Sequence, residues 1–479
     1  MRQTTATEPL RRAPASGRAV PPLAEASSCG APRGRRATGR GLAFCLVGAA
    51  STLSLVAVRA LGAPASPALP APPAPLAPLA PPWLDPDAPR LPEGTRSARV
   101  RLADQPILDA PWDTAPRRGS VARDVRLPVF AARRGAGCRG AFLSVGPSAW
   151  ICDDAVELGP EAPIAPGQRA FAEASDGLPY RYFFVGPEGS LAYRRLGAAD
   201  LGEPDMELEP GFAVAIAAER AEAGARYGRT PHELWIPMRD LGPARSFAFQ
   251  GEAIAPGATS IDIAWVIAER AKVLAKPSEG ALTANTLARF ERVSVLEEAQ
   301  TFAGKFIRIG DGAWLAAKDL RRPAVASPPA EVDVAVGERW IDVDLATQTL
   351  VAYEGRSPVF TTLVSTGKGR PGSPTATPTG TSRIWVKILT ADMDNLEDEN
   401  AARYYRMESV PWVQYFAKGV GLHGAFWHRS FGDKRSHGCV NLAPIDAQRL
   451  FWWTGPHLPA GWTAALPTAH ERGTVVRVR

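Results

Sequence analysis

The sequence predicts a mainly β protein made of several small domains, and three observations lead there. From about Arg96 to Pro323, Gly and Pro cut the chain into short runs of β-type residues, several alternating in period two. A tryptophan-headed segment recurs in that region at Trp150, Trp235 and Trp314, so one small unit is repeated. The chain of 479 residues is also too long for a single hydrophobic core, and its length suggests about three domains.

Residues 1–65 are a basic tail followed by an apolar run. Residues 1–40 hold eight arginines against Glu8 and Glu25, which is the whole of the +6 net charge; the remaining 47 basic and 47 acidic residues cancel. The folded part therefore has no net field to attract a polyanion, and nucleic acid is not an expected partner. Gly41 to Val58 is apolar, follows Arg35, Arg36 and Arg40, and precedes Ala63-Pro64-Ala65. Basic flank, apolar stretch and small residues read as an export signal, although a stretch of this length also suits an uncleaved membrane anchor. Both readings place the protein in the periplasm or cell envelope. Residues 66–95, rich in Pro and Ala, have no period that could pack a core and read as an extended spacer.

The repeated units are expected at 96–160, 175–250 and 258–323. Each ends in a segment of the form W-[IL]-x-x-x-[AD]-[VL], beginning at Trp150, Trp235 and Trp314. Phe142-Leu143-Ser144-Val145-Gly146 and Phe306-Ile307-Arg308-Ile309-Gly310 are matching run-ups, which the middle unit lacks. The pattern resembles bacterial SH3-like barrels, and that resemblance implies tandem modules, often binders of cell-wall peptides. A tryptophan held at one place in every repeat is otherwise a packing residue. With Cys29 and Cys45 in the N-terminal segment, Cys138 and Cys152 suit a disulfide closing a hairpin, worth about 3 kcal/mol by loop entropy. Two buried free thiols are the alternative.

A linker at 324–332 leads to the last domain, expected at 337–466. Trp340 to Leu345 alternates, Ala346 to Thr349 turns, and Leu350 to Tyr353 returns, which is a hairpin. Val364-Ser365-Thr366-Gly367 and Thr377-Pro378-Thr379-Gly380 are turns, and Ile384 to Ile388 is the next strand. Ala391 to Arg406 carries Asp392, Asp394, Glu397, Asp398 and Glu399 without calcium-loop spacing, and reads as a solvated loop or short helix placed as a lid. Tyr404, Tyr405, Trp412 and Tyr415 are candidates for a substrate wall or for core packing.

The stretch from Leu422 to Leu442 carries the chemistry. It holds Cys439 together with His423, His428 and His437. A thiol attacks a carbonyl as thiolate, so a neighbouring imidazole must take its proton and a third group must fix the imidazole's tautomer. His423 and His437 are the two candidate bases. The amides of Gly438 and Cys439 are candidate donors to an oxyanion. The histidines lack the H-x-x-x-H spacing of a metal site, and neither a metal nor another cofactor is expected.

Ser436-His437-Gly438-Cys439-Val440-Asn441, preceded by His423-Gly424, resembles the signature of the L,D-transpeptidase (YkuD) catalytic domain, and the hairpin and two turns upstream fit it as well. The resemblance implies Cys439 as acylated nucleophile, His423 as base and the Gly424 carbonyl as its orienting group. It implies the backbone around His437 and Gly438 as the oxyanion hole. The His437 side chain has a loop-bracing role or transfers a proton directly, Ser436, Arg435 and Asn441 are candidates around the oxyanion and substrate, and Tyr415 and Trp412 are candidates for the wall. The expected partner is a peptidoglycan stem peptide, and the reaction is acyl transfer to an amine. Hydrolysis by the same site, as an L,D-carboxypeptidase, is the alternative, followed by a wall-binding protein with an inactive domain.

Overall fold

The computed structural model describes residues 88–165, 175–245, 247–395 and 404–479. The N-terminal tail with its apolar run, most of the spacer, and Glu397, Asp398 and Glu399 lie outside the described residues. Among the described residues no helix is long and apolar enough to cross a membrane.

The three repeats share one strand order. In the first, Ser97–Val100 lies between Arg126–Pro128 and Val156–Gly159, while Gln105–Leu108 lies between Arg117–Val121 and Ala149–Cys152, followed outward by Phe142–Gly146 and Ala131–Arg133. The third repeats this with Ile263–Val266 between Arg292–Ser294 and Leu320–Arg321, and Arg270–Leu274 between Leu282–Ala288 and Ala313–Ala316. The second has the same order, but a six-residue helix, Leu196–Leu201, is inserted and one pairing shrinks to the single bridge Tyr193↔Trp235.

The recurrent tryptophan segment has a common local cause. Two residues before each tryptophan the chain turns through a left-handed residue, Ser148, Glu233 or Gly312. One turn of 3₁₀ helix then follows the strand, at Asp153–Ala155, Met238–Asp240 and Ala317–Asp319, and redirects the chain into the closing strand. Only Trp150 is buried; Trp235 and Trp314 are half-buried, so core packing accounts fully for the first alone. Cys138 and Cys152 form a disulfide with Cα atoms 5.7 Å apart, inside the roughly 7 Å limit for such a bridge.

The repeats are joined edge to edge with the last domain. Arg117–Val121 pairs with Trp462–Ala465, which pairs with Val386–Asp394 and then Arg406–Ala417, and Ala213 of the second repeat bridges Met407 in parallel. One 13-stranded sheet results. Gly119 permits the first junction, since a Cβ there would lie 2.3 Å from the Ala464 carbonyl oxygen. The short strand Glu252–Ala253 similarly extends a second, six-stranded sheet by pairing with Ser357–Leu363.

That second sheet contains the expected hairpin, Arg339–Asp344 with Thr349–Glu354, where Trp340 faces Tyr353 and their rings stack at 4.2 Å. The domain runs past residue 466. Val475–Val478 pairs with both Arg339–Asp344 and Gly380–Arg383. It delivers Arg477 and Arg479 to the buried Asp342, at 2.6 and 2.9 Å. The boundary at 466 expected from sequence therefore omits an interior strand of this sheet. Asp342→Ala leaves Arg477 without its counter-ion in a largely buried position and should cost about 3 kcal/mol by urea denaturation; a loss below about 1 kcal/mol would show that this pair does not hold the strand.

Candidate active site

His423 stands on Val420–Gly424, a strand between Arg406–Ala417 and Val440–Leu442. The pairing with Val440–Leu442 is parallel and sets His423 opposite Asn441. Cys439 immediately precedes this last strand. The imidazole is buried, its Nδ1 lies 3.3 Å from the Gly424 carbonyl oxygen, and its ring stacks on Trp427 at 5.7 Å. A proton on Nδ1 donated to that carbonyl leaves the Nε2 lone pair as the basic site.

The two turns upstream cradle the cysteine loop. The Thr366 carbonyl accepts from the amides of Arg435 and Ser436, at 2.9 and 3.0 Å, and the Ser436 carbonyl accepts from Lys368 N–H. Thr377 Oγ1 accepts from Gly367 N–H and donates to the Gly438 carbonyl, at 2.8 and 2.7 Å. Ser436 Oγ donates to the Cys439 carbonyl and accepts from Gly438 N–H at 3.1 Å. The Gly438 amide is thus occupied within the loop, which corrects its expected availability to an oxyanion. Gly438 itself is required by its φ of +134°, open to glycine but not to other residues.

Cys439 is half-buried, with Sγ 3.8 Å from the Gly419 carbonyl oxygen. Burial pushes its thiol pKa up, partly opposed by a hydrogen bond from the Gly421 amide. Burial pushes His423 the other way, down to about 4. Both shifts favour neutral partners at rest, a thiol and an imidazole, over a thiolate–imidazolium pair.

A cavity of about 780 Å³ brings together His423, His428, Arg435, Ser436, His437, Cys439, Asn441 and Tyr415. Its lining carries charges of both signs, Lys368, Lys434 and Arg435 together with Asp392 and Asp394. Asp392 belongs to the strand Val386–Asp394, where it accepts from Ser409 N–H at 2.8 Å and approaches His232 of the second repeat at 3.2 Å, so it is a fixed part of the wall and not a solvated loop residue. His437 is exposed and stacks on Tyr405 at 5.8 Å. Tyr415 stacks on Trp385, and burial together with Cys439 pushes its hydroxyl up to about 12.

Trp412 is absent from this wall. It is buried against Phe451 and Trp452, and its Nε1 donates to the Gly177 carbonyl at 2.6 Å, which makes it a core residue. Sequence reading missed Lys368, Lys434, Trp427 and Thr377, whose roles depend on where loops distant in sequence converge. Among the described residues, the Cys/His/Asp/Glu group compact enough to share a metal is Cys138, Cys152 and Asp153, whose two sulfurs are already bonded to each other.

Residues 338–478 match the family model of the YkuD L,D-transpeptidase catalytic domain. The last domain is thus of the L,D-transpeptidase class, on a mainly β scaffold. Among solved structures, the chain is similar to a cysteine-to-serine mutant of the Enterococcus faecium L,D-transpeptidase, with 22% identity over 30% of this chain and 50% of that one and a TM-score of 0.23. It is also similar to an L,D-transpeptidase from Stackebrandtia nassauensis, at 26% identity over 32% of this chain and 58% of that one, TM-score 0.22. A third is L,D-transpeptidase 3 from Mycobacterium tuberculosis with a faropenem-derived adduct, at 16% identity over 40% and 72%, TM-score 0.23. The match spans about half the length of the first of these. No curated protein matches the chain.

The neutral resting pair has a kinetic signature. Thiolate fraction rises with pH up to the thiol pKa, so alkylation of Cys439 by iodoacetamide should still be accelerating at pH 9. A rate already at its plateau between pH 5 and 7 would mean that the pair is ionised at rest.

Proposed function

We propose that this protein is a peptidoglycan L,D-transpeptidase that transfers the acyl group of a tetrapeptide stem, through a thioester on Cys439, to an amine of a second stem. The observation that supports this most is that His423, with its Nδ1 turned to the Gly424 carbonyl, and the free thiol Cys439 border one cavity large enough for a peptide.

In this reading His423 Nε2 takes the Cys439 proton as Sγ attacks the carbonyl carbon of the donor's penultimate residue. The carbonyl π electrons move to oxygen, and the Cys439 amide, which makes no hydrogen bond with another described residue, is a suitable donor to it. Collapse of the tetrahedral intermediate breaks the C–N bond, and His423 returns the proton to the departing D-alanine amine. The acceptor amine then gives a proton to His423 and attacks the thioester carbon, and Sγ leaves and is reprotonated. A lining with charges of both signs suits stems that carry both carboxylates and amines. Export through residues 41–58 goes with this reading, because such stems lie outside the cytoplasm.

The test is acylation by a carbapenem, a β-lactam that mimics the donor's acyl group. Intact-protein mass spectrometry should find one adduct, mapping to Cys439 and lost in Cys439→Ala, with His423→Ala slowing its formation by ~10²–10⁴. An adduct that persists in Cys439→Ala would overturn the assignment of the nucleophile.

A further inference from the structure

An imidazole from the second repeat reaches the wall of the cavity. The wall strands Val386–Asp394 and Arg406–Ala417 pair through Ala391↔Val410 and again at Met393↔Met407. Between these pairs Asp392 stands alone against Glu408 and Ser409, the two-against-one arrangement of a β-bulge, and Ser409 takes a left-handed φ of +52°. The bulge brings two carboxylates together. Asp392 lines the cavity, and Glu408 is buried beneath it with 4% of its surface exposed.

His232 Nε2 lies 3.2 Å from Asp392 and 3.6 Å from Glu408. The turn that heads the second tryptophan segment presents it: Thr230 Oγ1 accepts from the amides of His232 and Leu234, and Glu233 between them is left-handed. Glu408 in return accepts from Ala215 N–H of the same repeat at 3.3 Å, while Asp392 accepts from Ser409 N–H. Arg406, 3.6 Å from Asp392, is the other cation facing the pair, and Arg123 of the first repeat pairs with the neighbouring Glu233 at 3.3 Å. Tyr180 and Tyr182 are also near Glu408, but burial pushes both hydroxyls up, so neither exchanges a proton near neutrality. With both carboxylates ionised, Arg406 leaves one negative charge for His232 to balance, and an imidazole balances it only when protonated.

We propose that His232 is a positioning residue and a proton-operated latch: as imidazolium it bridges Asp392 and Glu408 and fastens the second repeat to the cavity wall in the shape that acylation of Cys439 requires, and as neutral imidazole it lets that wall loosen. This rests on the acyl-transfer reading above and adds control by pH to it. The hydrogen bond to Asp392 lifts His232 above its ordinary value of 6.5, helped by the charges of both carboxylates and opposed by burial and Arg406. Its contribution is therefore complete below 6.5 and lost as pH rises through the higher value of the fastened state. Burial pushes Glu408 up to about 7, so it also holds a proton more tightly in the fastened state and works in the same direction. Burial would raise Asp392 as well, but the bonds from His232 and Ser409 hold it below the usual carboxylate range, and it stays ionised throughout. About half of the His232 side chain is exposed, which gives solvent protons access.

Amide hydrogen exchange and acylation kinetics on the full chain test this. The Ala215 and Ser409 amides donate to the two carboxylates, so their protection reports the latch directly. Relative to His232→Gln, which keeps a donor but takes no proton, wild-type protection should be roughly 3–10-fold higher at pH 6 and equal at pH 8.5. Carbapenem acylation of Cys439 should show the same ratio and the same trend, because the pH dependence of the thiol is common to both proteins and cancels. His232→Lys, a permanent cation, should keep its advantage over His232→Gln at pH 8.5. Ratios that do not change between the two pH values, or an acylation ratio of one at pH 6, overturn the latch and leave the acyl-transfer reading intact. Failure of the wild-type protein to form any Cys439 adduct overturns that reading instead, and the exchange ratio then still decides whether His232 fastens the wall.

Discussion

The site depends on one short parallel pairing, Leu422–Gly424 against Val440–Leu442. Parallel strands need a long crossover, and here the crossover is the loop that carries His428, Ser436, His437 and Cys439. The pairing fixes His423 across from Asn441 and brings Cys439 to the entrance of its strand. Burial around this pairing explains why the Cys439 thiol and the His423 imidazole are both shifted toward their neutral forms. Backbone hydrogen bonds thus do the positioning, and side chains tune the chemistry.

A crossover of this length keeps one shape only if it is tied down. Thr366 and Thr377 hold its end, as described, while the third repeat holds its middle: Arg289 reaches Asp433 at 2.7 Å and Arg321 donates to the Gly432 carbonyl at 2.9 Å. Gly432 has no room for a side chain, because Ile267 would lie 2.7 Å from its Cβ. The second repeat holds the start of the crossover and the neighbouring strand, where Tyr182 stacks on Phe426 at 4.0 Å and donates to the Ser409 carbonyl at 2.6 Å. The repeats are therefore part of the framework that shapes the cavity, whatever else they bind.

Much of this was legible in the sequence wherever local chemistry decided the outcome. Cys439 and His423 stand out as a candidate nucleophile and base because a thiol and an imidazole are chemically distinctive at any distance from their partners, whereas the Gly424 carbonyl is assigned only by resemblance to the family signature. The tryptophan segments revealed the repeats because each rebuilds the same left-handed turn and 3₁₀ turn. Trp412 misled because Ser409 and Trp412 both adopt left-handed backbone angles, which break the alternation that would have assigned its face. The Gly438 amide could not be assigned from sequence, since its partner is a serine hydroxyl two residues away whose rotamer is fixed by the Cys439 carbonyl. The edge pairing of Gly119 with Ala465 and the closing strand at Val475–Val478 are long-range, and no local pattern announces them.

The central claim is that this cavity moves an acyl group from one stem peptide to another. Incubation of the purified protein with isolated sacculi, followed by mass spectrometry of the released muropeptides, tests it directly. The account predicts loss of terminal D-alanine from tetrapeptide stems with new stem-to-stem linkages, both absent with Cys439→Ala. Trimmed stems without new linkages would replace transfer with hydrolysis, and a muropeptide profile identical to that of the Cys439→Ala control would contradict the account.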